Sequence, residues 1–125
     1  MSGTGKVAWA DLTCSNAQEV RDFYAKVVGW KAEDLEVGGY SDYVMRDSQE
    51  GTAVAGICHA QGINKGLPAQ WLMYVTVENL DESLAKCREL GGRVKVEPFS
   101  MGSFGRTAVI EDPAGAVMAL LEPCR

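Results

Sequence analysis

The sequence predicts an α+β fold in which two tandem βαβββ modules form one curved, trough-like mixed sheet. Three observations carry this. A helix-opening motif, Asn16-Ala-Gln-Glu19, recurs in type 63 residues later as Asn79-Leu-Asp-Glu82. A glycine stop follows each helix at the same offset, Gly29 in the first half and Gly91-Gly92 in the second. Each helix is preceded by one run of β-forming residues and followed by three more, which is one supersecondary unit written twice.

The opening strands are Lys6 to Thr13 and Gln70 to Val77, both rich in β-formers and free of internal Gly or Pro. Each helix then starts on a capping box, with Asn able to accept from the N3 amide and Glu able to reach back. The first helix carries Val20, Phe23, Tyr24, Val27 and Val28 as an apolar stripe. The second carries Leu80, Leu84, Cys87 and Leu90. Phe23 stands mid-stripe and is expected in the core. The remaining strands are expected at 31 to 36, 41 to 46 and 52 to 59, then at 93 to 97, 106 to 111 and 116 to 122. Turn signals divide them at Gly38-Gly39, Ser48 to Gly51, Met101 to Gly105 and Asp112-Pro-Ala-Gly115. The expected organisation is a single domain over 1–125, with a first module at 6–59, a linker at 60–68 and a second module at 69–122. A repeat of about 60 residues is too short for two independent domains, so the halves are expected to share a core.

At 125 residues, with 46% hydrophobic and 23% charged residues, the chain has the composition of a globular protein rather than a disordered one. The net charge of −5 is spread along the sequence with no basic block to follow a phosphate backbone, so no nucleic-acid partner is expected. The longest apolar runs, such as Ala116 to Leu121, are too short to span a bilayer, so no membrane partner is expected. The polar opening Met1 to Lys6 has no signal-peptide core, and a cytoplasmic location is the expectation. Cys14, Cys58, Cys87 and Cys124 are widely spaced and read as reduced thiols.

With these elements in place the chain resembles the vicinal oxygen chelate superfamily, which includes lactoylglutathione lyases, bleomycin-resistance proteins and extradiol dioxygenases. The resemblance rests on Asp22-Phe23-Tyr24 with Val28-Gly29-Trp30, on Val77 to Leu84 with Leu90-Gly91-Gly92, and on Gly105-Arg-Thr-Ala-Val-Ile-Glu-Asp-Pro-Ala-Gly115. It implies the glyoxalase/bleomycin-resistance fold and a homodimer, in which a second copy covers the sheet edges. It also implies where metal ligands would stand: on the first strand of each half, seven residues before the helix-opening Asn, and on the last strand of each half. Those positions are Trp9, Leu72, Ala119, and Ala55 or Gly56. None offers an oxygen, imidazole or thiolate donor, so no metal and no cofactor is expected. His59, the only histidine, could anchor a different set with Cys58, Cys14, Asp11 or Glu122. A lone His at a strand end is as readily solvated or hydrogen-bonded.

Strand alternation supplies the ligand-binding candidates. If Trp9 faces the trough, so do Val7, Asp11 and Thr13, while Leu12 packs beneath the first helix. The same parity places Leu72, Tyr74 and Thr76 in the trough, with Trp71, Met73 and Val75 on the core side. Tyr43, Met45, Ile57, His59, Val117 and Ala119 are further candidates for that face. The expected ligand-binding residues are thus Trp9, Asp11, Tyr43, Leu72, Tyr74 and Arg106. Asp11 reads as a general base, as a carboxylate paired with Arg46 or Arg106, or as a carboxylate exposed at a dimer seam. Arg106, in a Gly-rich loop, reads either as an anion receptor or as a solvent-side turn residue. Catalytic residues are not assigned, Asp11 and His59 being the candidates. The favoured function is a metal-free pocket for a small, partly hydrophobic organic molecule. A lyase, isomerase or dioxygenase acting on a small oxygenated substrate with a non-standard metal or acid/base set is the alternative, and an interaction protein with a vestigial pocket the third reading.

Overall fold

The structure, a computed structural model, describes residues 3–36, 39–60 and 69–124. Its elements run β1 (Val7–Cys14), α1 (Ala17–Val27), β2 (Lys31–Glu36), β3 (Ser41–Arg46), β4 (Ala53–His59), β5 (Trp71–Thr76), α2 (Leu80–Glu89), β6 (Arg93–Ser100), a short 3-10 turn (Gly102–Phe104), β7 (Arg106–Glu111) and β8 (Val117–Glu122). The βαβββ order thus occurs twice. The turn signal at Gly38 and nearly all of the expected 60–68 linker lie outside the described residues. No described helix is long and apolar enough to cross a membrane.

The chain divides into two compact units, Ala10–Trp71 and Met1–Trp9 with Leu72–Arg125. In the first, the strand order is β2-β3-β4-β1. β1 runs parallel to β4, with Asp11 opposite Gly56, Leu12 opposite Ile57, Thr13 opposite Cys58 and Cys14 opposite His59. The other two pairs are antiparallel, as hairpin-linked neighbours must be. A core of Leu12, Cys14, Ala17, Tyr43, Met45, Ala55 and Ile57 forms where α1 lies on this sheet, with Val20, Tyr24 and Trp30 packed against it. β2 is exposed along its whole length and carries Lys31, Glu33, Asp34 and Glu36, the charged composition that protects an edge strand from unwanted pairing. Across it, Arg46 reaches Glu33 at 2.7 Å.

The other unit orders its strands β5-β8-β7-β6, again with the first pair parallel. The start of β1 belongs here too: Gly5 N–H donates to Thr76 O at 2.8 Å, and Thr76 N–H donates to Lys6 O at 2.9 Å. Under α2 sit Leu80, Leu84, Ala108 and Leu120, with Val77, Val94, Ile110 and Met118 around them. The opposite face, carrying Leu72, Tyr74, Thr107, Val109 and Ala119, is also buried. β6 extends beyond the sequence reading of 93–97, through Pro98 to Ser100. It tolerates the proline because it pairs only with β7, and the register slips between Val96 and Phe99.

Three sequence expectations change. The capping boxes are not equivalent. Asn79 accepts the Glu82 amide at 3.0 Å, but the Asn16 side chain makes no cap hydrogen bond and instead donates to Glu19 Oε1 at 3.3 Å. The helix stripes are narrower than drawn. Phe23, Val27 and Val28 are 56%, 63% and 51% exposed, and Leu90 is also exposed. The reason is that α1 turns only one seam to its sheet, with Ala17 buried and Val20 and Tyr24 partly buried against the core, at i, i+3 and i+7. Finally, Tyr43, Met45, Ile57 and His59 stand on the α1 side with Leu12 and Cys14, not on the face of Asp11. The Leu12–Ile57 and Tyr43–Ile57 register fixes this, and an alternation argument without register cannot.

Candidate functional site

In the Ala10–Trp71 unit, the ends of β1, β3 and β4 collect a buried polar cluster. Asp11 and Asp42 are both buried, as is Thr13. Carboxylates at that depth need donors, because an unpaired buried charge is costly. Asp42 finds them at the end of β4: its Oδ1 accepts the His59 amide at 2.8 Å and lies 3.5 Å from His59 Nδ1. The Cys58 thiol stands near Asp42 and Asp11. Burial, then the charges of Asp11 and Asp42, push the Cys58 thiol far above its ordinary range. Cys58 is therefore held as the neutral thiol.

The imidazole of His59 is held between Tyr40 and Tyr43, at 5.7 and 5.9 Å between ring centres. Its Nδ1 is buried and makes no hydrogen bond. The Arg21 guanidinium covers the Tyr43 ring at 4.7 Å, a cation–π contact from α1. His59 also lines an open cavity of about 510 Å³ with Ser15, Asn16, Gln18, Glu19 and Asp22 at the start of α1. A base poised beside a carboxylate at a cavity is the arrangement that proton transfer uses.

In the other unit, Trp9 is half-buried while Leu72 and Tyr74 are buried. Ala119 lies opposite Tyr74 and is fully buried. Arg106 is held at the surface by Asp81 at 3.2 Å and Glu122 at 3.9 Å, so its charge is already balanced by two carboxylates. Glu122 also accepts the Leu80 amide at 2.7 Å, fixing the start of α2 and favouring its dipole. Gly105 has φ +119°, and a Cβ there would fall 2.1 Å from Glu122 O. This glycine serves the close approach of β8 to the loop. Arg46, the other basic partner considered for Asp11, binds Glu33 and the Gly51 carbonyl.

Asp11 and His59 are thus brought into one unit, together with Asp42 and Cys58. Asp42 escaped the sequence reading. The available signal was an acid one residue before Tyr43 in a strand with an apolar remainder, Tyr43-Val44-Met45, which puts a carboxylate on the face opposite the helix. Among the described residues, no three His, Cys, Asp or Glu side chains converge as metal ligands would.

Residues 6–120 match the model of the glyoxalase/bleomycin resistance protein/dioxygenase superfamily. A Mycobacterium tuberculosis protein provisionally named glyoxylase CFP32 is 33% identical over 96% of this chain and 45% of its own length. The anthracycline biosynthesis protein DnrV of Streptomyces peucetius is 30% identical over 93% of this chain and 46% of its own. The chain thus spans a little under half the length of these curated relatives. Among solved structures, methylmalonyl-CoA epimerase from M. tuberculosis superimposes with a TM-score of 0.64 at 16% identity, covering 100% of this chain and 93% of its own. The Streptomyces coelicolor epimerase gives 0.63 at 19% identity, covering 99% of this chain and 100% of its own. At these identities the likeness is one of fold.

Proposed function

Because the chain belongs to the glyoxalase/bleomycin resistance protein/dioxygenase superfamily, we propose that it binds a small, partly hydrophobic organic molecule without a metal. The observation that carries this is chemical. Trp9, Leu72, Ala119, and Ala55 or Gly56 stand where the family resemblance puts metal ligands, and none has a donor for a divalent ion. Trp9 offers an aromatic face in that setting, suited to a planar ring. The similarity to DnrV, named for anthracycline biosynthesis, supports a polycyclic aromatic ketone as the first ligand class to try. Four cysteines, all free, support a reducing, cytoplasmic setting. A second copy of the chain is the proposed macromolecular partner.

Titration with a hydroxyanthraquinone, read by quenching of tryptophan emission, tests the ligand reading. Saturable quenching that weakens at least about tenfold in Trp9→Ala is expected for a contact residue at the centre of a site. Linear, non-saturating quenching in both proteins would refute it.

One observation favours a second reading, an isomerase or lyase using acid/base groups: His59 stands beside Asp42 at a cavity. Turnover of the methylglyoxal–glutathione hemithioacetal in the presence of EDTA, lost in His59→Gln, would establish it.

A further inference from the structure

We infer that the exposed face of α1 is the surface on which a second copy of this chain docks, its α1 lying antiparallel across a two-fold axis. The inference rests on the homodimer reading above and moves the contact from the sheet edges to α1. Phe23 and Val27 are one helical turn apart and both more than half exposed. Contiguous large apolar side chains on a helix face mark a binding surface more often than isolated ones do. Phe23 is also a prepared anchor. Its ring meets Tyr24 edge-on at 5.1 Å, and Tyr24 is fixed by Trp71, whose Nε1 donates to the Tyr24 hydroxyl at 3.1 Å. An aromatic side chain braced in this way loses little freedom on binding.

The charges specify the occupant. Along the same face, exposed Glu19 lies four residues before Phe23 and exposed Lys26 three residues after it. A two-fold axis at Phe23 sets Phe23 against the partner's Phe23 and brings each Glu19 toward the partner's Lys26, so the surface is complementary to itself. A parallel arrangement would oppose like charges. In its curated relatives a stretch matching 93 to 96% of this chain fills only 45 to 46% of the polypeptide, which leaves room in one chain for a second unit of the same size.

Sedimentation equilibrium of the full chain at micromolar concentrations tests the inference, with circular dichroism confirming that each variant is folded. Wild type should be dimeric. Phe23→Asp, Glu19→Lys and Lys26→Glu should each weaken association at least about tenfold, and the Glu19→Lys/Lys26→Glu double variant should restore it. A wild-type dimer unaffected by folded Phe23→Asp and by both charge reversals would overturn the α1 surface while leaving the homodimer reading intact. A wild-type monomer would overturn both. Weakening by the single reversals without recovery in the double variant would overturn the antiparallel arrangement.

Discussion

Truncating Ile57 to alanine tests the face assignment of the first sheet. Ile57 has 0% exposure in the middle of β4, flanked by Leu12 on β1 and Tyr43 on β3. The substitution removes three carbons, or about 2.4 kcal/mol of transfer free energy at about 0.8 kcal/mol each. Both neighbours sit on hydrogen-bonded strands and cannot close the gap, so a cavity penalty adds to this, giving about 3 to 4 kcal/mol in total. Val54→Ala, on the same strand but 36% exposed, should cost less than about 1 kcal/mol. Urea unfolding followed by circular dichroism would show a lower midpoint for Ile57→Ala at an unchanged slope. A cost below about 1 kcal/mol, or a larger one for Val54→Ala, would mean that β4 presents the other face to α1 and that Tyr43 belongs with Asp11 after all.

The two helix starts should respond differently. Asn79→Ala should cost about 1 kcal/mol by thermal or urea unfolding, and Asn16→Ala less than half of that, because only Asn79 accepts a backbone amide. Equal costs would restore the symmetric capping boxes of the sequence reading. Alkaline stability should depend on Cys58. An unfolded thiol titrates near 9.0 while the folded one is held far higher, so above that pH only the unfolded chain loses the proton. Stability is then complete below about pH 9 and falls by up to about 1.4 kcal/mol per unit as the pH rises further. Cys58→Ala should flatten that limb, and an unchanged slope would count against the burial of the thiol beside Asp11 and Asp42. At neutral pH, exposed Cys124 should react with a thiol reagent well before buried Cys14, and mass spectrometry of the labelled protein would show the order.

Much of the fold is legible in the sequence because the duplicated Asn and Gly punctuation is local chemistry. Asn79 caps its helix, and Asp112 closes its turn by accepting the Ala114 and Ala116 amides at 2.8 and 3.0 Å. The strand limits follow from such stops. What the sequence could not supply was anything set by pairing register. Tyr43 and Asp42 exchange faces with a one-residue change in phase, and only their alignment with Ile57 and His59 decides it. The excess width of the α1 stripe has the same origin. Phe23 and Val27 have core chemistry, but the seam that meets the core is Ala17, Val20 and Tyr24. Arg106 could be read as an anion receptor only until Asp81 and Glu122 were found beside it.

Calorimetric titration with a hydroxyanthraquinone tests whether organic ligand binding needs a metal. Matched runs would use the protein in EDTA and the protein with added zinc, nickel or manganese. Metal-free binding should give one saturable isotherm with the same affinity in every buffer, and no heat from the metals alone beyond dilution. Binding that appears only with one of the metals, at one equivalent per chain, would contradict it.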